Sequence, residues 1–374
     1  MQSYRWLFYA VNGLGLGHVT RTIALARQIR TLMPESQFLI LTTSEASGLF
    51  WQEGFASVKV PSRMAAKQSG LRYGTYNQLL HSLVVNTIGA YHPHIMVIDT
   101  FPAGSAKELL PVLRWGGKRV FLYREQKLSI CGDPWYQQLL ALYDQILIPH
   151  ESGEVDLPCP EHIPVKHTGP MLIRDRHEAL ERNEARQRLN LPQDRLILYV
   201  GFGGGGDLNY QKLLTWILEQ ATHYPQWLFV CPITPLSQDD RITVEPDSPI
   251  EKSLPDNIQT IRHYPMAECW RAFDGAISAA GYNSVTELLH HHVPTIWVPL
   301  ERQADQQDLR VQRIIEENAG WSVAPFDGEA LKQSLDALSD RKQRAQVQQR
   351  IKAIAPRNNG AKIAAEYLQQ WLVT

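Results

Sequence analysis

Two glycine-rich turns, one in each half of the chain, constrain the fold more than any other feature of the sequence. The first, GLGLGH at 13–18, follows the apolar run RWLFYAV and precedes an amphipathic stretch. The second, GFGGGG at 201–206, follows the apolar run DRLILYV and precedes another amphipathic stretch. A strand that leads through glycines into a helix is typical of the start of a doubly wound α/β domain, where the backbone passes close to a ligand. The sequence therefore predicts two such domains.

Short apolar runs alternate with amphipathic stretches on both sides of a segment that is rich in proline. Runs such as HIMVID are apolar on both faces, which is typical of parallel strands covered by helices. A helix is also expected over 103–113. Because 374 residues exceed the size at which one core keeps growing, we expect an α/β protein of two Rossmann-like domains and a last helix that is free to pack back on the first domain. The predicted bounds are 1–165 for the first domain, 166–355 for the second and 356–374 for the last helix.

Charge and cysteine usage limit the classes of function. The net charge of −1 argues against a general nucleic-acid binder, which needs a basic excess. Residues 1–130 nevertheless carry fourteen Lys or Arg against six Asp or Glu, a net charge of +8. This excess fits a solvated surface, and an acidic acceptor or an anionic membrane surface are the alternatives. The four cysteines form no CxxC pair and no apolar run is long enough to span a membrane. We therefore expect a cytoplasmic protein, with peripheral contact to the inner face of the membrane through the basic first domain left open.

The first glycine turn carries a histidine at the start of the following helix. Gly15 and Gly17 allow the backbone to approach a ligand closely, and the helix start offers N–H groups to an anion or a polar oxygen. His18 at this position can act as a general base or contact the substrate, while a helix-capping histidine is the structural alternative. The spacing G-x-G-x-G-H and the presence of Arg21 one turn later argue against a dinucleotide-binding loop.

Two charged residues end strands of the first half. Asp99 ends HIMVID, and Arg124 follows KRVFLY. Both should lie at the carboxyl edge of the sheet, where ligands bind in this class of fold. Asp99 is thus a second candidate base, with a buried structural aspartate as the alternative, and Arg124 is a candidate for binding an acidic acceptor.

The second half places glycines and polar residues where they can hold a nucleotide sugar. Glycine loops and helix starts offer N–H groups to phosphates, and a carboxylate one helical turn later can accept hydrogen bonds from ribose hydroxyls. That carboxylate, Glu287, also fits a capping box with Ser284. A polar turn after PTIWVPL can bind sugar hydroxyls, with a solvated loop as the alternative. The candidate donor-binding residues are Gly203, Gly204, Gly205, Gly206, Gly281, Asn283, Ser284, Glu287, Asp305 and Gln306.

Taken in order, GLGLGH, GFGGGG, SAAGYNSVTELL and P-x-x-x-x-x-D-Q resemble the motifs of GT-B glycosyltransferases with a family 28-type C-terminal domain. This group includes the lipid-linked N-acetylglucosaminyltransferase of peptidoglycan synthesis. The resemblance covers nearly the whole chain and implies two Rossmann-like doubly wound domains that face each other across a cleft. It further implies a nucleotide-sugar donor, such as a UDP-sugar, in the C-terminal domain and an acceptor, of a kind that the sequence does not identify, bound mainly by the N-terminal domain. His18 matches the histidine of the family's first loop, and Asp305 and Gln306 match the pair that contacts the donor sugar.

The sequence hypothesis is an inverting transfer in which His18 or Asp99 deprotonates an acceptor hydroxyl. Helix starts would stabilise the departing nucleotide diphosphate, and because the sequence contains no D-x-D triplet we expect neither a metal nor another cofactor. The histidines at 290–292 are not expected to bind a metal, because adjacent residues of a helix point apart.

Two other functions remain open from the sequence. The pattern G-x-G-H-x-x-R also resembles that of the nucleotide-sugar hydrolases of nonulosonic acid synthesis, in which His18 would activate water. A catalytically idle sugar-nucleotide-binding protein is the third alternative, because a fold does not fix a function.

Overall fold

The chain folds into two compact units, each built on a parallel sheet. The computed structural model describes residues 3–11, 15–126, 128–155, 157–203, 210–237, 242–246, 248–301 and 306–373. Unit 1 comprises Met1–Ile173 together with Asn358–Thr374, and unit 2 comprises Arg174–Arg357. The predicted α/β class with two Rossmann-like sheets is confirmed. The domain bounds expected from the sequence were 165 and 355, and the compact units divide at 173 and 357.

Unit 1 contains a seven-stranded sheet in the order β3-β2-β1-β4-β5-β6-β7, with every neighbouring pair parallel. The chain runs outward in one direction from β1 and in the other from β4, so the switch point of the sheet lies between these two strands. Ligands bind at the carboxyl ends of strands at such a point. The strands are β1 (Arg5–Ala10), β2 (Gln37–Thr42), β3 (Ala56–Lys59), β4 (Ile95–Asp99), β5 (Lys118–Leu122), β6 (Gln145–Ile148) and β7 (Val165–His167).

Helices accompany this sheet, and a core of buried aliphatic and aromatic side chains packs between the sheet and helix Tyr73–Tyr91. Tyr76, Leu80, Val84 and Ile88 are the buried positions of that helix. Their spacing of four residues places them on one face, as an amphipathic helix requires. The helices in this part of the chain are α1 (Gly17–Leu32), α2 (Gly48–Gln52), α3 (Arg63–Gln68), α4 (Tyr73–Tyr91), α5 (Leu128–Cys131) and α6 (Pro134–Leu140).

The prediction of a helix over 103–113 is wrong, because this segment forms a series of turns that ends in the short 3-10 helix Val112–Arg114. Gly104 and Lys107 have positive φ angles of 83° and 66°, which an α-helix excludes. The Glu108 carboxylate accepts hydrogen bonds from the backbone N–H groups of Ser105 at 2.9 Å and Ala106 at 2.6 Å, and from the Tyr9 hydroxyl. The fully buried Glu108 carboxylate thus holds the backbone of this segment in turns instead of in a helix.

Unit 2 contains a six-stranded sheet in the order β10-β9-β8-β11-β12-β13, and its switch point lies between β8 and β11. The strands are β8 (Leu196–Gly201), β9 (Trp227–Pro232), β10 (Ile258–Ile261), β11 (Gly275–Ser278), β12 (Thr295–Trp297) and β13 (Trp321–Ser322). The helices are α7 (Arg182–Arg188), α8 (Tyr210–Leu218), α9 (Tyr282–His290), α10 (Gln307–Glu316), α11 (Gly328–Ser339) and α12 (Arg341–Ile354).

The last helix, α13 (Gly360–Val373), belongs to unit 1 and packs against α1. The Tyr367 hydroxyl donates a hydrogen bond to Gln145 Oε1 at 2.6 Å, and the Lys118 ammonium lies 4.1 Å from the centre of the Trp371 ring. Among the helices of the described residues, none is both long and apolar enough to cross a bilayer.

Candidate active site

The switch point of unit 1 brings His18 and Asp99 together. His18 lies in the first turn of α1, directly after β1, and Asp99 is the last residue of β4, which pairs with β1. His18 Nδ1 lies 2.5 Å from Asp99 Oδ2, and both residues are almost fully buried. The sheet order therefore explains why residues 81 positions apart share one hydrogen bond.

Arg21 holds the other side of the Asp99 carboxylate. Its Nη2 and Nε atoms lie 2.6 Å and 3.1 Å from Asp99 Oδ1. The same Nη2 donates to Thr100 Oγ1 at 3.0 Å. Because His18 and Arg21 are three residues apart, they lie on one face of α1 and meet the same carboxylate.

This arrangement sets the charge of each group. Burial lowers the pKa of His18, and the charges of Arg21 and Arg124 lower it further against the opposing effect of Asp99. Burial alone would raise the pKa of Asp99, but the positive charge of Arg21 and its contact with His18 outweigh that effect and lower it. His18 is therefore a neutral imidazole at neutral pH, and Asp99 is an ionised carboxylate.

The hydrogen bond to Asp99 also fixes the tautomer of His18. An ionised carboxylate only accepts, so Nδ1 carries the proton and Nε2 has the free lone pair. Within the described residues, Nε2 has no hydrogen-bond partner. A neutral imidazole with this tautomer can accept a proton from a hydroxyl group or from water.

Thr100 and Phe101 complete the surroundings of His18, and neither was predicted from the sequence. Thr100 has a φ of 67°, a conformation that a β-branched residue rarely adopts, and its hydroxyl accepts the bond from Arg21. The Phe101 ring stacks on the His18 ring with centres 6.1 Å apart and remains 38% exposed. Their position directly after Asp99 is the signal that could have identified them.

The glycines of the first loop take the conformations expected of them. Gly15 has a φ of 84°, in the region that favours glycine, and Gly17 is the first residue of α1. Arg124 follows β5 and lies close enough for its charge to act on His18. The structure thus places Gly15, Gly17, His18, Arg21, Asp99 and Arg124 around the carboxyl ends of β1, β4 and β5.

The switch point of unit 2 presents the start of α9. Gly281 caps this helix without a side-chain hydrogen bond, and a Cβ at Gly281 would meet no atom within 4 Å. Asn283 and Ser284 lie in the first turn, where N–H groups lack partners within the helix. Helix α9 begins before Ser284, so Ser284 is not the residue that caps it. The alternative role of Glu287, a capping box with Ser284, is therefore not formed.

Glu287 instead accepts a hydrogen bond from Trp270 Nε1 at 3.2 Å. Burial raises the pKa of Glu287 to about 7, despite the opposing effects of the Trp270 hydrogen bond and the charge of Arg174. Tyr199 packs edge-on against Trp270 with ring centres 4.8 Å apart. The carboxylate therefore lies in an aromatic environment that favours its protonated form.

A positively charged side chain, that of Arg310, lies beside the start of α9. Arg310, on α10, donates from Nη1 to the Ala280 carbonyl at 2.6 Å, and its guanidinium lies 5.6 Å from the centre of the Tyr282 ring. Positions 279 and 280 carry no basic side chain, so Arg310 supplies positive charge there from another element. Arg310 was not predicted from the sequence, because its place depends on the return of α10 to the edge of the sheet.

The remaining donor candidates are described only in part. Gly203 has a φ of 90° and open space at its Cβ position, and Gln306 precedes α10 without capping it through its side chain. Gly204, Gly205, Gly206 and Asp305 lie outside the described residues.

Within the described residues, one group has the composition of a metal site. Asp175, His177 and Glu178 bring ligand atoms within 4.8 Å of one another. Asp175 and Glu178 already form a capping box around residues 176–178, which accounts for their proximity. His290 Nδ1 lies 3.3 Å from the Pro356 carbonyl and belongs to no such group.

Comparisons with known proteins agree with this architecture. Residues 238–366 match the family model described as "Glycosyltransferase family 28 C-terminal domain". No curated protein matches the chain in sequence.

Solved structures match nearly the whole chain. MurG from Acinetobacter baumannii is 15% identical, with a TM-score of 0.59 over 99% of this chain and 100% of its own. TcCGT1 in complex with UDP is 15% identical, with a TM-score of 0.65 over 99% and 100%. A putative UDP-N-acetylglucosamine 2-epimerase from Listeria monocytogenes is 12% identical, with a TM-score of 0.65 over 99% and 95%. At these identities, the likeness shows the fold.

The matched C-terminal model indicates a glycosyltransferase, and the solved structures show that the chain has the two-domain GT-B fold. More narrowly, residues 238–366 match the glycosyltransferase family 28 C-terminal domain, and the resemblance noted from the sequence motifs is confirmed.

Proposed function

We propose that the protein transfers a sugar from a nucleotide-diphosphate sugar, a UDP-sugar, to an acceptor hydroxyl with inversion and without a metal ion. The observation that carries the proposal is the hydrogen bond between His18 and Asp99 at the switch point of unit 1. It supports a general base whose tautomer and charge suit proton removal at neutral pH.

In the proposed reaction, His18 Nε2 takes the proton of the acceptor hydroxyl while the oxygen attacks the anomeric carbon. The bond from that carbon to the diphosphate oxygen breaks, and the nucleotide diphosphate leaves with the electron pair. Asp99 stabilises the imidazolium that forms and keeps the ring oriented, and Arg21 keeps Asp99 ionised. Asp99 is thereby a positioning residue rather than the base itself. The exposed face of Phe101 offers an apolar surface beside the base for the body of the acceptor.

Unit 2 is proposed to hold the donor. The start of α9 at Gly281, Asn283 and Ser284 offers N–H groups to the diphosphate, and Arg310 adds a positive charge near the same turn. Glu287 is proposed to accept hydrogen bonds from ribose hydroxyls. Gly203 to Gly206, Asp305 and Gln306 stay donor-binding predictions.

Donor binding is tested first with a panel of nucleotide sugars and the corresponding nucleotides. A ligand of the folded protein raises the melting temperature by mass action. A UDP-sugar and UDP are expected to raise it, and no shift with any nucleotide sugar would contradict the proposal.

The role of His18 is tested by His18→Ala with His162→Ala as the matched control, because His162 is an exposed histidine of the same unit. Turnover is expected to fall about 10²–10⁴-fold in H18A while UDP binding persists, and H162A should behave as the wild type. Turnover by H18A at the wild-type rate would contradict a general base at this position.

Release of UDP with and without acceptor hydroxyls separates transfer from hydrolysis. The same His18 and Asp99 geometry can activate water, so a full rate of sugar release in water alone would assign the protein as a hydrolase. Dependence on an added acceptor supports transfer. Activity is expected to persist in excess chelator, and its strict loss would overturn metal independence.

A further inference from the structure

A cavity of about 810 Å³ opens at the edge of the unit 1 sheet opposite to His18 and Asp99. This amino-edge cavity is lined by the starts of β1, β4 and β5, the Trp115–Lys118 turn and Leu372 of α13. Because β4 spans five residues, about 13 Å of strand separates Ile95 at the cavity from Asp99. Its volume lies within the range of small-molecule sites. It is therefore a site distinct from the candidate active site.

Apolar and aromatic side chains form one part of the amino-edge cavity. Ile88, Ile95 and Met96 are buried and form its apolar wall. The Trp115 ring lies beside Gly89 and remains 41% exposed. An exposed indole next to an apolar wall suits a planar, apolar group.

Two positively charged side chains, each held by contacts with its neighbours, form the other part of the cavity lining. Arg5 is held by a hydrogen bond from Nε to the His92 carbonyl at 2.8 Å. Lys118 is held by the Trp371 ring and by its carbonyl, which accepts from Nζ at 3.4 Å. Within the described residues, neither Arg5 nor Lys118 pairs with a carboxylate, and the lining of the cavity contains no Asp or Glu. Cations that are already positioned bind an anion with little further loss of side-chain entropy.

His94 adds a neutral donor to this cluster. The Arg5 backbone N–H donates to His94 Nδ1 at 3.1 Å, so in the neutral ring the proton resides on Nε2. Burial and the charge of Arg5 lower the pKa of His94, which keeps the ring neutral. The amino-edge cavity thus combines two positive charges, an N–H donor and an apolar wall.

We propose that the amino-edge cavity binds a small molecule that carries a phosphate group on an aromatic body. The phosphate dianion matches Arg5, Lys118 and the His94 N–H group, and the ring matches Trp115 and its apolar neighbours. The site is independent of the proposed sugar transfer, since none of its residues belongs to the candidate base or donor site.

The test is isothermal titration calorimetry with phenyl phosphate, inorganic phosphate and phenol. Because both halves of the cavity contribute, the wild type is expected to bind phenyl phosphate at least tenfold more tightly than either fragment. Trp115→Ala and Lys118→Gln should each weaken phenyl phosphate at least fivefold. The matched control is the double variant Trp135→Ala with Lys107→Gln, a second exposed Trp with a Lys 4.8 Å from its ring centre.

Each outcome decides the proposal. Loss of phenyl phosphate binding in the two cavity variants, with the control unchanged, supports it. It is overturned if the wild type does not bind phenyl phosphate, if both cavity variants bind as the wild type does, or if the control loses affinity equally. W115A keeps the test valid if K118Q disturbs α13, because W115A leaves the contact between Lys118 and the Trp371 ring unchanged. UDP binding by the same variants is measured in parallel, and its persistence separates this site from the donor site.

Discussion

Replacing Glu287 by Gln is expected to stabilise the protein at alkaline pH. Burial raises the pKa of Glu287 to about 7, whereas a free glutamate in the unfolded chain has a pKa of about 4.3. A difference of roughly 2.7 pKa units corresponds to about 3–4 kcal/mol of unfolding free energy. Gln has nearly the same shape and keeps an oxygen that accepts the hydrogen bond from Trp270, so the substitution removes mainly the cost of ionisation.

The direction of the pH effect follows from proton binding. Below pH 4 the carboxyl is protonated in both states, and it affects stability little. As the pH rises from 4 through 7, the unfolded chain releases the proton before the folded protein does, so the wild type loses stability. Above pH 7 the full cost is present, and E287Q should exceed the wild type by about 3–4 kcal/mol.

Glu268→Gln is the matched control, with the opposite sign. The approach of His263, whose Nε2 lies 3.6 Å from the carboxylate, together with the charge of Arg174, lowers the pKa of Glu268 to about 2 against the effect of burial. The Glu268 carboxylate stabilises the folded protein at pH values above the pKa that it has in the unfolded chain. This stabilisation is lost as the pH falls through about 2. E268Q should therefore destabilise the protein at pH 8 by up to about 3 kcal/mol.

The measurement is urea denaturation of the three proteins at pH 5 and at pH 8, compared as differences from the wild type. E287Q is expected to gain stability relative to the wild type between pH 5 and pH 8, and E268Q is expected to be less stable than the wild type at pH 8. A gain by E287Q that is the same at both pH values, or a shift of the same sign in both variants at pH 8, would refute it. Carbon-13 titration of the Glu287 carboxyl gives the pKa directly.

Three further substitutions test other parts of the structure. Gly104→Ala should cost about 2–4 kcal/mol of stability by thermal denaturation, because φ is 83° and a Cβ would lie 2.4 Å from the Glu108 carboxyl carbon. Asp99→Asn should lower turnover at least about 100-fold with UDP affinity unchanged, because the amide no longer holds the tautomer of His18; unchanged turnover would contradict this role. Arg186→Met should cost about 3 kcal/mol or more in urea denaturation, because the fully buried guanidinium binds a carboxylate and several carbonyl oxygens; a neutral effect would contradict it.

The sequence predicted those parts of the fold that follow from local pattern. Apolar runs and glycine turns predicted the strands and the two parallel sheets, because strand burial and turn geometry are both set by neighbouring residues. The segment at 103–113 failed because its turns depend on Glu108, which binds Tyr9 from a strand far along the chain. A periodic pattern carries no information about such a distant partner.

In the candidate site, too, the sequence predicted what depends on local pattern and not what depends on distant partners. His18 and Asp99 were predicted from their positions after β1 and at the end of β4, since parallel strands bring their carboxyl ends to one edge. Their direct hydrogen bond required the strand order, which only the fold provides. Arg310 was missed because helix α10 starts far from Ala280 in sequence, and only the return of the chain brings its guanidinium to the turn before α9.

The two points at which the chain leaves and re-enters unit 1 lie side by side. Asn359 exchanges hydrogen bonds with the backbone of Leu172 at 2.9 Å and 3.0 Å, and the Gly360 N–H donates to the Pro170 carbonyl at 2.8 Å. A Cβ at Gly360 would lie 2.0 Å from the Gly169 carbonyl oxygen, so only glycine allows this approach. In topological terms, residues 174–357 form an insert between two adjacent ends of a host domain. If residues 174–357 were replaced by the corresponding segment of another protein of the same fold, the sequence of every strand of the host sheet would be unchanged. His18 and Asp99 would also be kept.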